Sequence, residues 1–291
     1  MLSRFVLGGM WLLHFLPLSV LARLGEGLGA LAYWLVVPRR RVCRINLDKC
    51  FPELAVSERR AIAREHFRLL GRFILEHGLM WWGSRERFKR LVRYDNPELL
   101  EANRGAPLII VAPHFLGLDM GGVRVSLDTE VVSIYQKQND PVFDRRIRTG
   151  RIRFNPNTLL LSRQEGMRAV AKAVKFDRRA LYYLPDLDFG PRDTIFVPFF
   201  GVATATITGV SRLARLTGAR VMPCVTRMLP GGQGYRVRFY PPFENFPTDD
   251  VAADTRRVNA FIEERVREIP AQYYWVHKRF KTRPEGEPKF Y

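Results

Sequence analysis

The residues whose type and spacing could do chemistry are His114 and Asp119, in the run Ala112-Pro113-His114-Phe115-Leu116-Gly117-Leu118-Asp119. A histidine and an acid five residues apart would lie about 140° apart on one continuous helix. They can meet if His114 sits in a strand-to-helix turn and Asp119 on the first turns of the following helix. Asp119 would then accept from one imidazole nitrogen, fixing the tautomer and stabilising the imidazolium. The other nitrogen would be free to take a proton. By itself the spacing is a weak signal, because a histidine after a strand is more often a structural hydrogen-bonder.

Other charged candidates have equally plain readings when taken singly. Arg151 lies in a run with Arg145, Arg146, Arg148 and Arg153, and such a run is usually a solvated or membrane-facing surface. Asp186, after an apolar stretch, reads as a turn residue. His277 sits in a basic tail with Tyr273, Tyr274 and Trp275, where aromatic stems and cationic heads pack at a surface or form a basic rim for phosphates. His14, His66 and His77 fall within apolar or helical runs and read as structural. Ser211 and the cysteines have no base at motif spacing, so no Ser or Cys nucleophile is expected. No metal site is implied.

The elements around these residues alternate. Ser57 to Met80 carries apolar residues at helical spacing, and Asn96-Pro97-Glu98 reads as a cap with proline in the first helical position. Pro107–Ala112 is an apolar run that reads as a buried strand. Val131–Tyr135, Ala180–Leu184, Arg220–Arg227 and Tyr235–Tyr240 are further strand candidates. Thr208–Leu216, stopped by Gly218, and a segment capped at Thr248-Asp249-Asp250 are helical. Gly231-Gly232 reads as a hairpin turn. The pattern predicts an α/β layered fold, its central sheet mostly parallel or mixed and flanked by helices, with the His–acid box at the strand ends.

The N-terminus is different. Phe5 to Ala22 carries no charged side chain other than His14, and as a helix would reach about 27 Å, just short of a hydrocarbon core of about 30 Å. A second apolar stretch, Gly27 to Pro38, ends against Arg39-Arg40-Arg41. Residues 1–38 are therefore expected to form a membrane-anchoring helix or hairpin, with the arginines marking the cytoplasmic side, and residues 39–291 the catalytic domain. The formal net charge of +18 calls for an anionic partner. Three cysteines with no CxxC pair point to a reducing compartment. A basic nucleic-acid binder is the rival class, but no recognition helix, zinc spacing or aromatic RNP-type strand appears.

Several longer blocks carry a resemblance. They are Arg44-Ile45-Asn46-Leu47 with Cys50-Phe51-Pro52-Glu53-Leu54, the His114…Asp119 box, Gly150-Arg151, Leu184-Pro185-Asp186-Leu187-Asp188-Phe189-Gly190, Phe196 to Gly201 with Thr204 to Gly209, and Trp275 to Pro284. Nearly the whole chain resembles the bacterial lipid A late acyltransferases, the lauroyl and myristoyl transferases within the lysophospholipid acyltransferase superfamily. The resemblance implies a glycerolipid acyltransferase-like fold and catalysis by the His114–Asp119 pair, with Arg151 and Asp186 in substrate-binding or supporting roles. Many lipid A enzymes carry Glu where this chain has Asp119; the broader glycerolipid acyltransferases use Asp.

It further implies O-acyl transfer from acyl carrier protein to a hydroxyl of a lipid A precursor, with no cofactor beyond that donor. The expected partners are acyl carrier protein, the lipid A precursor and the anionic membrane surface, and no nucleic acid. The expected location is the cytoplasmic face of the inner membrane. Acylation of a lysophospholipid or glycerol phosphate is the alternative within the same chemistry.

Overall fold

A computed structural model describes residues 2–162 and 165–291. Five helices lead into the first strand: α1 Leu2–Leu13, α2 Leu18–Leu35, α3 Val37–Cys50, α4 Val56–Trp82 and α5 Arg85–Leu91. There follow β1 Val92–Tyr94, α6 Glu98–Glu101, β2 Leu108–Val111, α7 Leu118–Ser126, β3 Val131–Tyr135, α8 Pro141–Ile152 and β4 Leu159–Ser162. The remainder is α9 Gly166–Lys175, β5 Ala180–Tyr183, β6 Thr194–Phe199, β7 Val202–Ile207, α10 Gly209–Thr217, β8 Arg220–Met228, β9 Tyr235–Phe239 and α11 Val251–Glu268.

Seven strands form one sheet in the order β1-β9-β8-β2-β5-β3-β4. All neighbours pair in parallel except β8 and β9. That one hairpin turns through Pro230–Gly232, where Gly231 and Gly232 both take positive φ, as their pairing in the sequence suggested. The outlying β6–β7 pair is a separate antiparallel hairpin. The expected mostly parallel α/β sheet is therefore present. Its outer strands β1 and β4, and the separate β6–β7 hairpin, are short or partly exposed and are not legible in the sequence.

The apolar strands are continuous runs because both sheet faces are covered. Ile109 and Val111 of β2 join a cluster with Val170 of α9, Leu213 of α10 and Ile262 of α11. Leu108 and Ile110 join the opposite cluster, with Leu79 of α4 and Val123 of α7. Gly218, at φ 68°, ends α10 in the left-handed region as a C-terminal glycine does. Asn96 does not cap a helix as expected. Its side-chain amide pairs with the backbone N–H and C=O of Phe239 instead, so it ties the α6 entry to β9.

The N-terminal apolar run is not one helix. The chain breaks after Leu13, and α2 restarts behind Pro17, which has no N–H to continue a helical ladder. No single described helix is long and apolar enough to cross a membrane; α2 and α3 together pass on length and composition but are bent by 91°. One side of α2 lies along α4 at backbone contact: a Cβ on Gly29 would stand 2.0 Å from the Phe67 carbonyl oxygen, and one on Gly71 would stand 2.1 Å from the Gly25 oxygen. The other side leaves Leu24, Leu28, Leu31 and Trp34 exposed, continuing Phe5 and Leu12 of α1 and Phe15 of the turn after it.

Candidate active site

His114 follows β2 by three residues, and Asp186 follows β5 by three. The two strands are parallel neighbours with Val111 opposite Tyr183, so the register itself carries His114 and Asp186 to one place at the C-terminal sheet edge. There the Asp186 carboxylate accepts from the His114 backbone N–H at 2.8 Å and from its Nδ1 at 2.7 Å. Asp186 is fully buried. Burial alone would raise its carboxyl, but the facing His114 ring and backbone N–H, with Arg279 beyond, hold it below the usual carboxylate range. With Nδ1–H committed to the carboxylate, Nε2 carries the lone pair, the arrangement a general base needs.

The expectation that Asp119 pairs with His114 is therefore corrected: among the described contacts the imidazole partner is Asp186. Asp119 lies on the first turn of α7 as expected, but its carboxylate faces two other helices. Oδ1 accepts from Arg151 Nη2 of α8 at 2.8 Å, and Oδ2 lies 3.3 Å from His77 Nε2 of α4. Burial would push the Asp119 carboxyl up; the Arg151 charge and the His77 contact override it and hold the group well below its ordinary range. Sequence reasoning missed His77, because nothing in a helical run shows that α4 passes beside α7.

The arginine run divides by partner. Arg151 alone of the five reaches Asp119. Arg146 donates to the Trp81 carbonyl and lies over the Trp82 ring at 4.5 Å, and Arg153 donates to the Met80 carbonyl at 3.3 Å. These two satisfy carbonyls at the C-terminus of α4, where the helix dipole also favours cations. Arg145 and Arg148 are exposed.

His114, Asp119, Arg151 and His77 all line one cavity of about 490 Å³. Asp119, Gly122, Val123 and Ser126 line it from a single face of α7, at the i, i+3, i+4, i+7 spacing of a helix. Val131, Ser133, Ile134 and Tyr135 line it from β3. The cavity thus runs from the strand ends down between α7 and the sheet. Met10, Phe73 and Met80 close it on the side of α1 and α4.

The aromatic core and Arg279 of the basic tail are interior, while Lys278 and Lys281 stay exposed. Trp275 and Arg279 are buried. Arg279 donates to the Ala205 carbonyl and to Thr206 Oγ1 of the β6–β7 hairpin. His277 Nε2 accepts from the Asp188 backbone N–H at 3.2 Å, and burial pulls this histidine down to about 4. The Asp188 carboxylate accepts from the backbone N–H and hydroxyl of Thr282 and from the Gly190 N–H. The tail therefore clamps the loop that presents Asp186. Asn46 of α3 donates to the Trp275 and His277 carbonyls, so the Arg44–Leu47 block braces the same clamp.

A histidine–carboxylate pair thus stands at the strand ends of an α/β sheet and faces a largely apolar cavity, where open α/β sheets place their sites. Comparison with known proteins gives the family. Residues 1–282 match the family model of bacterial lipid A biosynthesis acyltransferases. The chain is 35% identical to the lipid A biosynthesis lauroyltransferase of Escherichia coli K12, over 98% of this chain and 93% of that one. It is 33% identical to the palmitoleoyltransferase of the same organism, over 100% and 94%, and 31% identical to its myristoyltransferase, over 92% and 82%. The chain belongs to the bacterial lipid A biosynthesis acyltransferases and is an acyltransferase of lipopolysaccharide synthesis.

Proposed function

We propose that the protein transfers a fatty acyl chain from an acyl carrier protein thioester to a hydroxyl of a lipid A precursor, with no cofactor beyond that donor. The observation that carries this reading is His114, whose Nδ1 is committed to buried Asp186 while its ring lines an apolar cavity of about 490 Å³. The acyl chain lies along the α7 face, and its thioester carbonyl stands beside His114. Nε2 takes the proton of the acceptor hydroxyl as that oxygen attacks the carbonyl carbon. The C–S bond of the tetrahedral intermediate then breaks, and the imidazolium returns the proton to the departing thiolate, giving ester and free thiol. Asp186 orients the ring and stabilises the imidazolium. Arg151, held by Asp119, supplies positive charge for the carbonyl oxygen as it becomes negative.

In this reading residues 1–38 are the membrane-anchoring segment and residues 39–291 the catalytic domain, on the cytoplasmic face of the inner membrane. The exposed apolar side of α1 and α2 supports it, as does the Arg39–Arg41 cluster behind them. Helices of this kind enter one leaflet and lie in the interface. The cavity lining includes Val6 and Met10 of α1 and Ile74 of α4, so lipid has a short path from the bilayer to His114. The +18 charge suits a phosphorylated acceptor, an acidic carrier protein and an anionic leaflet alike.

Mass spectrometry of the lipids made by the purified protein tests this reading. It would be offered acyl carrier protein thioesters of several lengths with a lipid A precursor or with a lysophospholipid. Acylation of the lipid A precursor is expected. Acylation of the lysophospholipid alone would overturn the acceptor assignment.

A further inference from the structure

His77 differs from the other buried histidine of its helix in what its ring nitrogens meet. Its Nδ1 lies 2.5 Å from the Phe73 carbonyl oxygen, one turn back, and its Nε2 lies 3.3 Å from Asp119 Oδ2. A carbonyl and an ionised carboxylate can only accept, so each contact is attractive only if that nitrogen carries a proton. His66, three turns earlier on α4, meets one acceptor: Nδ1 faces the Ala271 carbonyl at 2.9 Å, while Nε2 is buried without a partner.

The His77 ring is fixed on its sides as well. The Phe73 ring stands edge-on at 4.4 Å and the Trp81 ring at 5.3 Å. The charged groups around it are few. Asp119 faces it from α7, and Arg151 of α8 occupies the other Asp119 oxygen. Glu76, the neighbour on α4, is itself engaged by Arg72 and Tyr235. From α1 the cavity wall is Val6 and Met10.

We propose that His77, protonated on both ring nitrogens, is a positioning residue that locks the Asp119 carboxylate and through it holds Arg151 against the reaction cavity. Each Asp119 oxygen then has its own cation. Two cations share one carboxylate, which leaves a net positive site beside His114, where the thioester oxygen gains charge during transfer. Without His77, one Asp119 oxygen loses its partner, and the Asp119–Arg151 pair can swing away from the cavity. A misplacement on the order of 1 Å costs about 100-fold in rate. The role assigned to Arg151 rests on the proposed acyl transfer; the protonation of His77 does not.

The test uses the full chain in detergent micelles with ¹⁵N-labelled histidine. The protein has five histidines, so His77→Gln assigns the signal by its loss. At neutral pH both His77 nitrogens are expected at shifts of protonated imidazole, and Asp119→Asn is expected to bare one of them. A His77 ring with one unprotonated nitrogen, indifferent to Asp119→Asn, would overturn the proposal whether or not the transfer reaction is correctly identified.

Kinetics supply the second arm. His77→Ala is expected to lower kcat about 10- to 100-fold with the donor KM within about twofold. His77→Gln keeps an N–H for Asp119 but not the charge, and is expected to recover only part of that loss. In an Asp119→Asn background His77→Ala is expected to cost little more. Wild-type kcat in His77→Ala, or an equal loss with and without Asp119, would reduce His77 to a packing residue. If His77→Ala does not fold, the Gln variant and the labelled spectrum still decide the matter.

Discussion

Asp186 holds His114 twice, by backbone N–H at 2.8 Å and by Nδ1 at 2.7 Å, although 72 residues separate them. The parallel pairing of β2 with β5 brings them together. The box spacing alone suggests a pair made within one segment; the pair is made across two strands. Asp119 is left to hold Arg151.

The roles of the two acids can be separated by substitution. His114→Ala is expected to cut acyl transfer by about 10² to 10⁴. Asp186→Asn is expected to cost at least about 10², because the amide no longer stabilises the imidazolium and can turn the ring to the wrong tautomer. Asp119→Glu is expected to retain activity, since the longer acid can still reach Arg151. Initial rates with a fixed acyl donor check all three. Wild-type turnover in Asp186→Asn would show that Asp186 only closes a turn.

Gly122 bears on which acyl chain fits. It lines the cavity between Asp119 and Ser126, and a Cβ there would stand 3.1 Å from Tyr182 Cε1. Gly122→Leu is expected to fill the middle of the cavity, at a stability cost of about 1–3 kcal/mol for overpacking. Longer donors should then lose turnover more than shorter ones. Competition among acyl carrier protein thioesters of graded length, read by mass spectrometry, would show this. An unchanged product distribution would place the acyl chain elsewhere.

The five arginines should separate into three behaviours. Arg151→Ala is expected to lower kcat severely, and added salt should not reproduce the effect. Arg146→Ala and Arg153→Ala strip partners from the Trp81 and Met80 carbonyls and are expected to cost about 1 kcal/mol each in stability. Arg145→Ala and Arg148→Ala should weaken binding to anionic vesicles, and raised salt should mimic them in the wild type. Equal, mild, salt-mimicked effects at all five positions would make the run a generic basic surface.

Stability should fall on mild acidification. Burial pulls His66 and His277 down to about 4 in the folded chain, against about 6.5 when unfolded. Between those values the unfolded chain binds more protons. Their contribution is therefore complete above about pH 6.5 and is lost as pH falls toward 4. For His66 it amounts to about 3 kcal/mol. Asp119 and Asp186, held low, add their loss only at more acidic pH. Thermal melts at pH 7.5 and pH 5 should differ, with a smaller gap in His66→Asn. An equal gap in the variant would assign the acid sensitivity to other groups.

Much of the chain declares itself locally. Pro107–Ala112, Val131–Tyr135 and Ala180–Leu184 are continuous apolar runs because helices cover both faces of the sheet, and that pattern survives in one dimension. Gly218 and Gly231-Gly232 mark places where only positive φ closes the turn. The longer blocks identify the family, and with it the reaction class. Tertiary structure decided what lies between segments. Register chose Asp186 over Asp119 as the partner of His114, because residues equally far beyond paired parallel positions must arrive together. The close glycine contacts of α2 with α4 turned an apolar N-terminus into a packed wall with one exposed side. The approach of α4 to α7 brought His77 to Asp119, a contact that no local pattern records because it depends only on how two helices pack.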